Sequence, residues 1–250
     1  MSYTDINSKV FDKWNKEDWE WGRPISHEEF INAKKGDYNI KLTPTKFVPH
    51  SWIGDVKNKK VLGLASGGAQ QMPIMAALGA KVTVLDYSDS QLESEKKMAI
   101  KEEYDIKIVK ADMSKPLPFK DEEFDLIIHP VSNCYIEEVL PLFKECYRIL
   151  KKQGRLISGL DIGLNYVFDE DDETSVKFGL PFNPLKDKNL YNLCLLNDWG
   201  IQFSHTIEEQ IRSQLIAGFT LEDLYEDYNG YGKLNEFKIP TFIATKVIKL

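Results

Sequence analysis

Cysteine is scarce in this chain. Only Cys134, Cys146 and Cys194 occur, odd in number and widely spaced. That excludes a disulfide framework and offers no metal-ligand spacing, so no metal is expected. A reduced, cytoplasmic protein is the plain expectation. Long apolar runs are missing too. None approaches the roughly 20 residues of a membrane span, and "MSYTDINSKVFDKWNKEDWEW" at the start is charged and aromatic, unlike a signal peptide. Positive charge is in deficit. Against 39 acidic residues stand 32 Lys and Arg, a formal net charge of −7. That disfavours broad binding to nucleic-acid phosphates and leaves a small molecule as the easier partner. Internal repeats and low-complexity tracts are also absent.

What is present is a chain of 250 residues, 42% hydrophobic, long enough for one large domain with an appendage. Residues 1–57 read as a helical leader, rich in tryptophan and too short to bury a core of its own. From Lys60 the pattern changes. "KVLGLA", "KVTVLD", "IKIVKAD", "FDLIIHP" and "GRLISGLD" read as strands. Between them lie helical stretches, "AQQMPIMAALGA" with Gly79 as its stop, "SDSQLESEKKMAIKEEY" with a serine cap, and "IEEVLPLFKECYRILKK". Strand and helix alternate with short links, which signals an α/β fold with a doubly wound, parallel sheet. From about 160 to 204 the alternation lapses, and this stretch reads as an insertion over the site. Its acidic run Asp169 to Glu173 reads as a solvated loop. A last helix, "TIEEQIRSQLIAGF", precedes two strands, "TLEDLYED" and "TFIATKVIKL".

In open parallel sheets ligands bind beyond the carboxyl ends of the strands. Ala65, Asp86, Asp112 and His129 should therefore cluster. The loop "VLGLASGGAQQ" breaks a buried strand into a small-residue turn that feeds a helix, but it is neither a dinucleotide fingerprint nor a phosphate loop. Asp86 lies 21 residues after Ala65, near the ~20-residue spacing of an acid that accepts bonds from a ribose diol. Asp112 can accept from an adenine amino group, and Met113 can lie against the ring. These residues alone do not separate a nicotinamide cofactor from S-adenosylmethionine.

The order strand, Ala-Asp, Leu-Pro-Phe, Asp, Phe-Asp-Leu-Ile, helix, "ECYRILKKQGRLI" resembles the class I S-adenosylmethionine-dependent methyltransferases. The resemblance covers roughly residues 58 to 160 and continues through "HTIEEQIRSQLIAGFTLEDLYED". It implies a mostly parallel, seven-stranded Rossmann-like sheet with an antiparallel last strand. It implies that residues 58–250 form the cofactor-binding domain, with the insertion after the fifth strand. Gly63, Ala65, Ser66, Gly67 and Gly68 would pass under the methionine part of the cofactor. Asp86 would bind the ribose, Tyr87 and Ser88 would flank the adenosine, and Asp112 and Met113 would meet adenine. His129 would lie near the sulfonium.

The chain also departs from the family pattern. Gly63 stands where an acid is usual, so backbone carbonyls of Gly63 or Ala65, or groups from the leader, must meet the cofactor's ammonium. Ala65 and Ala69 replace two glycines, which suits Ala65 if it is still extended and Ala69 if it is already helical. Methyl transfer is an in-line displacement in which the protein positions the acceptor and excludes water. His129 is the best candidate base. Tyr135, Asp161, Tyr166 and His205 are candidates to line the acceptor site. Trp21, Pro24, Pro49 and Trp52 suggest that the leader folds over the cofactor as a lid. His129-Pro130-Val131-Ser132 stands where base-methylating members carry Asn/Asp-Pro-Pro-Tyr/Phe, which disfavours that chemistry. Two other readings remain at this stage: a non-catalytic adenosine-ligand-binding protein on the same fold, and an NAD(P)-dependent oxidoreductase.

Overall fold

The computed structural model describes residues 2–168 and 173–250. Asp169 to Asp172, most of the acidic run, lie outside the described residues. Five parallel strands, β1 (Lys60–Leu64), β2 (Lys81–Asp86), β3 (Ile106–Lys110), β4 (Phe124–His129) and β5 (Leu150–Asp161), are joined by β6 (Thr220–Asp227) and β7 (Phe242–Ile248). The sheet order is β3-β2-β1-β4-β5-β7-β6, and β7 runs antiparallel to both of its neighbours. This is the mixed seven-stranded sheet that the resemblance implies.

Strand alternation sorts the side chains into two cores. Val61, Leu126, Ile128 and Ile157 meet Met72 and Met75 of α4 (Gln71–Ala77) and Leu92 of α5 (Asp89–Glu102). Leu62, Leu64, Ile127 and Leu156 meet Leu142, Phe143 and Cys146 of α6 (Val139–Ile149). Because both faces are covered, the strands read as continuous apolar runs. On α6 the buried residues Val139, Leu142, Phe143, Cys146 and Ile149 recur at helical spacing. Each large one contributes about 1.5–3 kcal/mol by leaving water. Pro141 is tolerated because it sits in the first turn, where no intrahelical acceptor awaits its nitrogen.

Residues 151–154 lie inside β5 as an irregularity in its pairing. Phe124 pairs with Leu150 but Leu126 pairs with Arg155, so the extra residues form a bulge with Gln153 at φ +64°.

The leader holds α1 (Tyr3–Lys16), opened by a capping box between Ser2 and Asp5, then α2 (His27–Lys34) and α3 (His50–Ile53). It is not helical throughout. Around Thr43-Pro44-Thr45 the chain bends back on itself, closed by an antiparallel bridge between Lys41 and Phe47, since the residue before a proline avoids the helical region. Ile40, Leu42, Val48, Trp52 and Ile53 enter the same core as Val61 and Met75. After β5 come α7 (Lys188–Leu196), α8 (Ile207–Ala217) and α9 (Gly232–Glu236). Thr206 caps α8, and Gly218 at φ +108° ends it. Among the described residues no helix is long and apolar enough to cross a membrane.

Candidate functional site

The loop after β1 departs from both sequence expectations for its alanines. Ala65 has φ +45° and Ala69 φ +60°, and α4 begins only at Gln71. Both alanines thus hold the left-handed geometry of the glycines they replace, at about 1 kcal/mol each. What holds them is a set of bonds from β2 and α5. Ala65 N–H donates to the Leu85 carbonyl and Gly68 N–H to the Gln91 carbonyl. Gly67 N–H donates to Asp86 Oδ2 and Ala69 N–H to Glu95 Oε1, both at 2.9 Å. The N–H groups of Ala65, Gly67, Gly68 and Ala69 are therefore already used inside the protein.

Asp86 is more heavily engaged than a simple ribose ligand. Besides Gly67, it accepts from Tyr87 N–H at 2.8 Å and Ser88 N–H at 3.0 Å, both on Oδ1. Burial still drives its carboxyl above the ordinary range, against those bonds. Of roughly four acceptor positions on a carboxylate, one remains, on Oδ2. Gln91 sits beside it. The point where a β-carbon on Gly67 would lie is 2.6 Å from Gln91 Cβ and 2.9 Å from Asp86 Oδ2. Gln91 is buried, and its Oε1 has no partner.

These groups open onto a cavity of about 650 Å³. Ala65, Gly67, Asp86, Tyr87, Asp112 and Met113 border one end. Phe11, Tyr135, Asp161, Tyr166, Phe182 and Trp199 are among those bordering the rest, and Trp21 borders it too. Gly63, Ser66, Gly68, Ser88, His129 and His205 do not border it. Gly63 lies under α4, where a β-carbon would be 2.9 Å from the Met72 thioether, so an acid at that strand position would have to displace Met72. Ser66 donates to Gln71 Oε1 and Ser88 to Asp12 Oδ1. Trp52 is no part of a lid either. It is buried in the core, with its indole N–H on Asp223.

His129 corrects the choice of base. It is fully buried, its Nδ1 lies 2.9 Å from the Leu64 carbonyl, and its Nε2 has no partner. The carbonyl can only accept, so Nδ1 carries the proton. Burial pushes its pKa down to about 4, and its ring does not meet the cavity. His205 is also buried, with Nε2 on the Ile136 carbonyl and Nδ1 3.2 Å from Glu209. Asp161, by contrast, borders the cavity. Burial pushes it up to about 6, against bonds from Asn165 and Gly163. Asn133 and Gln210 grip its backbone. Tyr135 and Tyr166 lie next to it, and burial raises both hydroxyls far above the usual phenol range.

The leader closes one side. In α1, Asp5 accepts from the Tyr87 hydroxyl, Ser8 donates to the Tyr87 carbonyl, and Asp12 accepts from Ser88 and Ser90. Asn7 exchanges two bonds with the backbone of Ile201. Residues 41–43 span the loop and the end of β4: Gln71 donates to the Lys41 carbonyl, and Val131 N–H to that of Leu42. Lys41 is the one cation among the described residues bordering the cavity. Sequence reasoning missed Gln91, Glu95 and Lys41. A signal existed for two of them. Gln91 and Glu95 share the inward face of α5 with Leu92, Met98 and Ala99, and a polar residue on such a face needs a partner.

A doubly wound sheet, an acid ending β2 and a tight small-residue loop bonded to that acid define an α/β protein laid out for a nucleoside ligand. The particular family follows from comparison. The methyltransferase domain family matches residues 62–158. Over 250 residues the chain is 40% identical to "Uncharacterized methyltransferase YbaJ" of Bacillus subtilis (strain 168), covering 98% of this chain and 97% of that one. An S-adenosylmethionine dependent methyltransferase from Mesorhizobium loti superposes with a TM-score of 0.64 at 16% identity, covering 80% of this chain and 95% of that one. Geranyl diphosphate C-methyltransferase from Streptomyces coelicolor A3(2) gives 0.57 at 13%, covering 80% and 76%. At those identities the two structures show a shared fold. The chain belongs to the methyltransferases, and its fold is that of the S-adenosylmethionine-dependent members.

Proposed function

We propose that this enzyme methylates a small, largely apolar organic molecule, neutral or cationic, at the Asp161 end of the cavity. The observation that carries the reading is continuity. A single cavity joins the nucleoside end, at Asp86, Asp112 and Met113, to a chamber walled by Phe11, Tyr135, Tyr166, Phe182 and Trp199. Aromatic walls favour an apolar body or a cation. Asp161 and Glu173 border the cavity against Lys41, the single cation among the described residues there, which disfavours a polyanionic acceptor such as nucleic acid.

The residues present fit the cofactor. Asp86 Oδ2 and the unpartnered Gln91 amide would share the ribose hydroxyls. Asp112 keeps an oxygen free beyond its bond to Ser114 N–H and would meet adenine beside Met113. Lys41 would face the carboxylate. When bound, the sulfonium supplies the electrophilic methyl group. The chain's part is to align an acceptor, exclude water and take any proton the acceptor must lose. Asp161 is the group placed for that proton. Within residues 1–57, α1 and the segment 20–25 act in this reading as a lid, while 40–53 pack in the core; the described part of 160–204 forms the wall of the acceptor chamber. Three buried, free cysteines agree with a reducing cytoplasm.

Calorimetry with S-adenosylmethionine, S-adenosylhomocysteine and NAD tests the cofactor, with binding expected for the first two only. Release of S-adenosylhomocysteine in the presence of a panel of phenols, amines and carboxylates tests the acceptor. Turnover restricted to anionic acceptors would refute the substrate class, and tight binding with no turnover across the panel would favour a ligand-binding protein.

A further inference from the structure

Glu95 lies on α5 beneath the loop and takes no part in lining the cavity. Its side chain is fully buried, with Oε1 2.9 Å from Ala69 N and Oε2 without a partner. Ala69 is the residue whose left-handed backbone most needs an explanation, since it carries a β-carbon where a glycine would be relaxed. It is also a junction. Its carbonyl accepts from Ile25 N–H, and next to it Gln70 donates to the carbonyls of Glu20 and Arg23. The strap 20–25, which brings Trp21 to the cavity, is thus tied to the residue that Glu95 holds.

We propose that Glu95 is a positioning residue for the cofactor, fixing Ala69 in its left-handed conformation and so setting both the loop and the strap. This rests on the reading of the site as an S-adenosylmethionine site.

The same burial makes the device sensitive to pH. Facing Glu95 are Asp86 at the end of β2 and the Tyr104 hydroxyl beyond α5. Glu102 also acts on Tyr104, and it is itself paired with His27 of α2 and Lys101. Burial first, and Asp86 in addition, push Glu95 up to about 8, against its bond to Ala69. The closed, dry arrangement therefore holds a proton that a hydrated one would release. By linkage, the contribution of Glu95 to cofactor affinity is full at low pH and is lost as pH rises through about 8.

The test is S-adenosylhomocysteine affinity, by calorimetry on the full chain. Glu95→Ala should weaken binding about tenfold at pH 7, and adding Ala69→Gly, which removes the strained β-carbon, should recover most of that loss. Glu95→Gln keeps the acceptor oxygen and should bind within about threefold of wild type at pH 7. The ratio of wild-type to Glu95→Gln affinity should fall about tenfold from pH 6 to pH 9, the cofactor's own amine cancelling in the ratio. If Glu95→Ala does not fold, the Glu95→Gln ratio decides alone, and a flat ratio overturns the proposal. So does unchanged affinity in Glu95→Ala, or a loss that Ala69→Gly leaves in place. Absence of any S-adenosylhomocysteine binding by wild type would instead overturn the cofactor reading itself, and this proposal with it.

Discussion

Asp86 and Gln91 divide one task, and their substitutions should separate. Asp86→Ala removes three backbone bonds as well as the ribose contact. It should lower the melting temperature and weaken S-adenosylhomocysteine by about tenfold to a hundredfold. Gln91→Met leaves those three bonds in place. It should weaken binding up to about tenfold with the melting temperature unchanged, and should erase discrimination against a 2′-deoxy or 3′-deoxy analogue. Calorimetry and thermal denaturation check both. His129 makes a different prediction. Its pKa is lowered by burial, so its neutral form contributes full stability above about pH 6.5, and that stability is lost as pH falls towards 4. His129→Asn should remove up to about 3 kcal/mol of acid sensitivity in denaturant titrations. Asp86 and Asp112 were legible because motif spacing fixes strand ends. Gln91 and Glu95 were not, because their role depends on which atoms of a neighbouring loop are left unpaired.

At the scale of elements, the leader has two halves with different roles. Residues 40–53 supply Ile40, Leu42, Val48, Trp52 and Ile53 to the core, so removing the whole leader would strip the sheet of one cover. The helix α1 is docked more lightly, burying Thr4, Asn7 and Val10, and holds on by polar bonds to the β2–α5 turn and to Ile201. Asn7→Ala deletes two buried bonds to Ile201 and should cost about 1–3 kcal/mol of docking. Faster cleavage of α1 by a protease, with recovery of protection on adding S-adenosylhomocysteine, would show that the helix closes on the cofactor. Equal cleavage rates with and without ligand would sink the lid. The sequence revealed a tryptophan-rich leader but not this division, since a helical pattern shows that a face is apolar and not which surface covers it.

For the whole molecule, four of the five tryptophans, Trp14, Trp19, Trp21 and Trp199, border the cavity. Tryptophan emission should therefore change on titration with S-adenosylhomocysteine and saturate at the calorimetric affinity. NAD should leave it unchanged, because the N–H groups of Ala65, Gly67, Gly68 and Ala69 are already bonded within the protein. A response to NAD alone would reverse the cofactor assignment.

The sequence by itself determined the α/β alternation, the strand ends that carry Asp86 and Asp112, and the family. Those follow from local periodicity and from residue types at fixed spacing, which need no knowledge of distant contacts. Only the tertiary structure decided that Gly63 is closed off by Met72, that His129 is sealed from the cavity, and that two alanines keep a glycine's backbone. Each of those depends on where a second element comes to rest. α4 fills the space over Gly63, the Leu64 carbonyl fixes the His129 tautomer, and Glu95 on α5 supplies the bond that holds Ala69 in place.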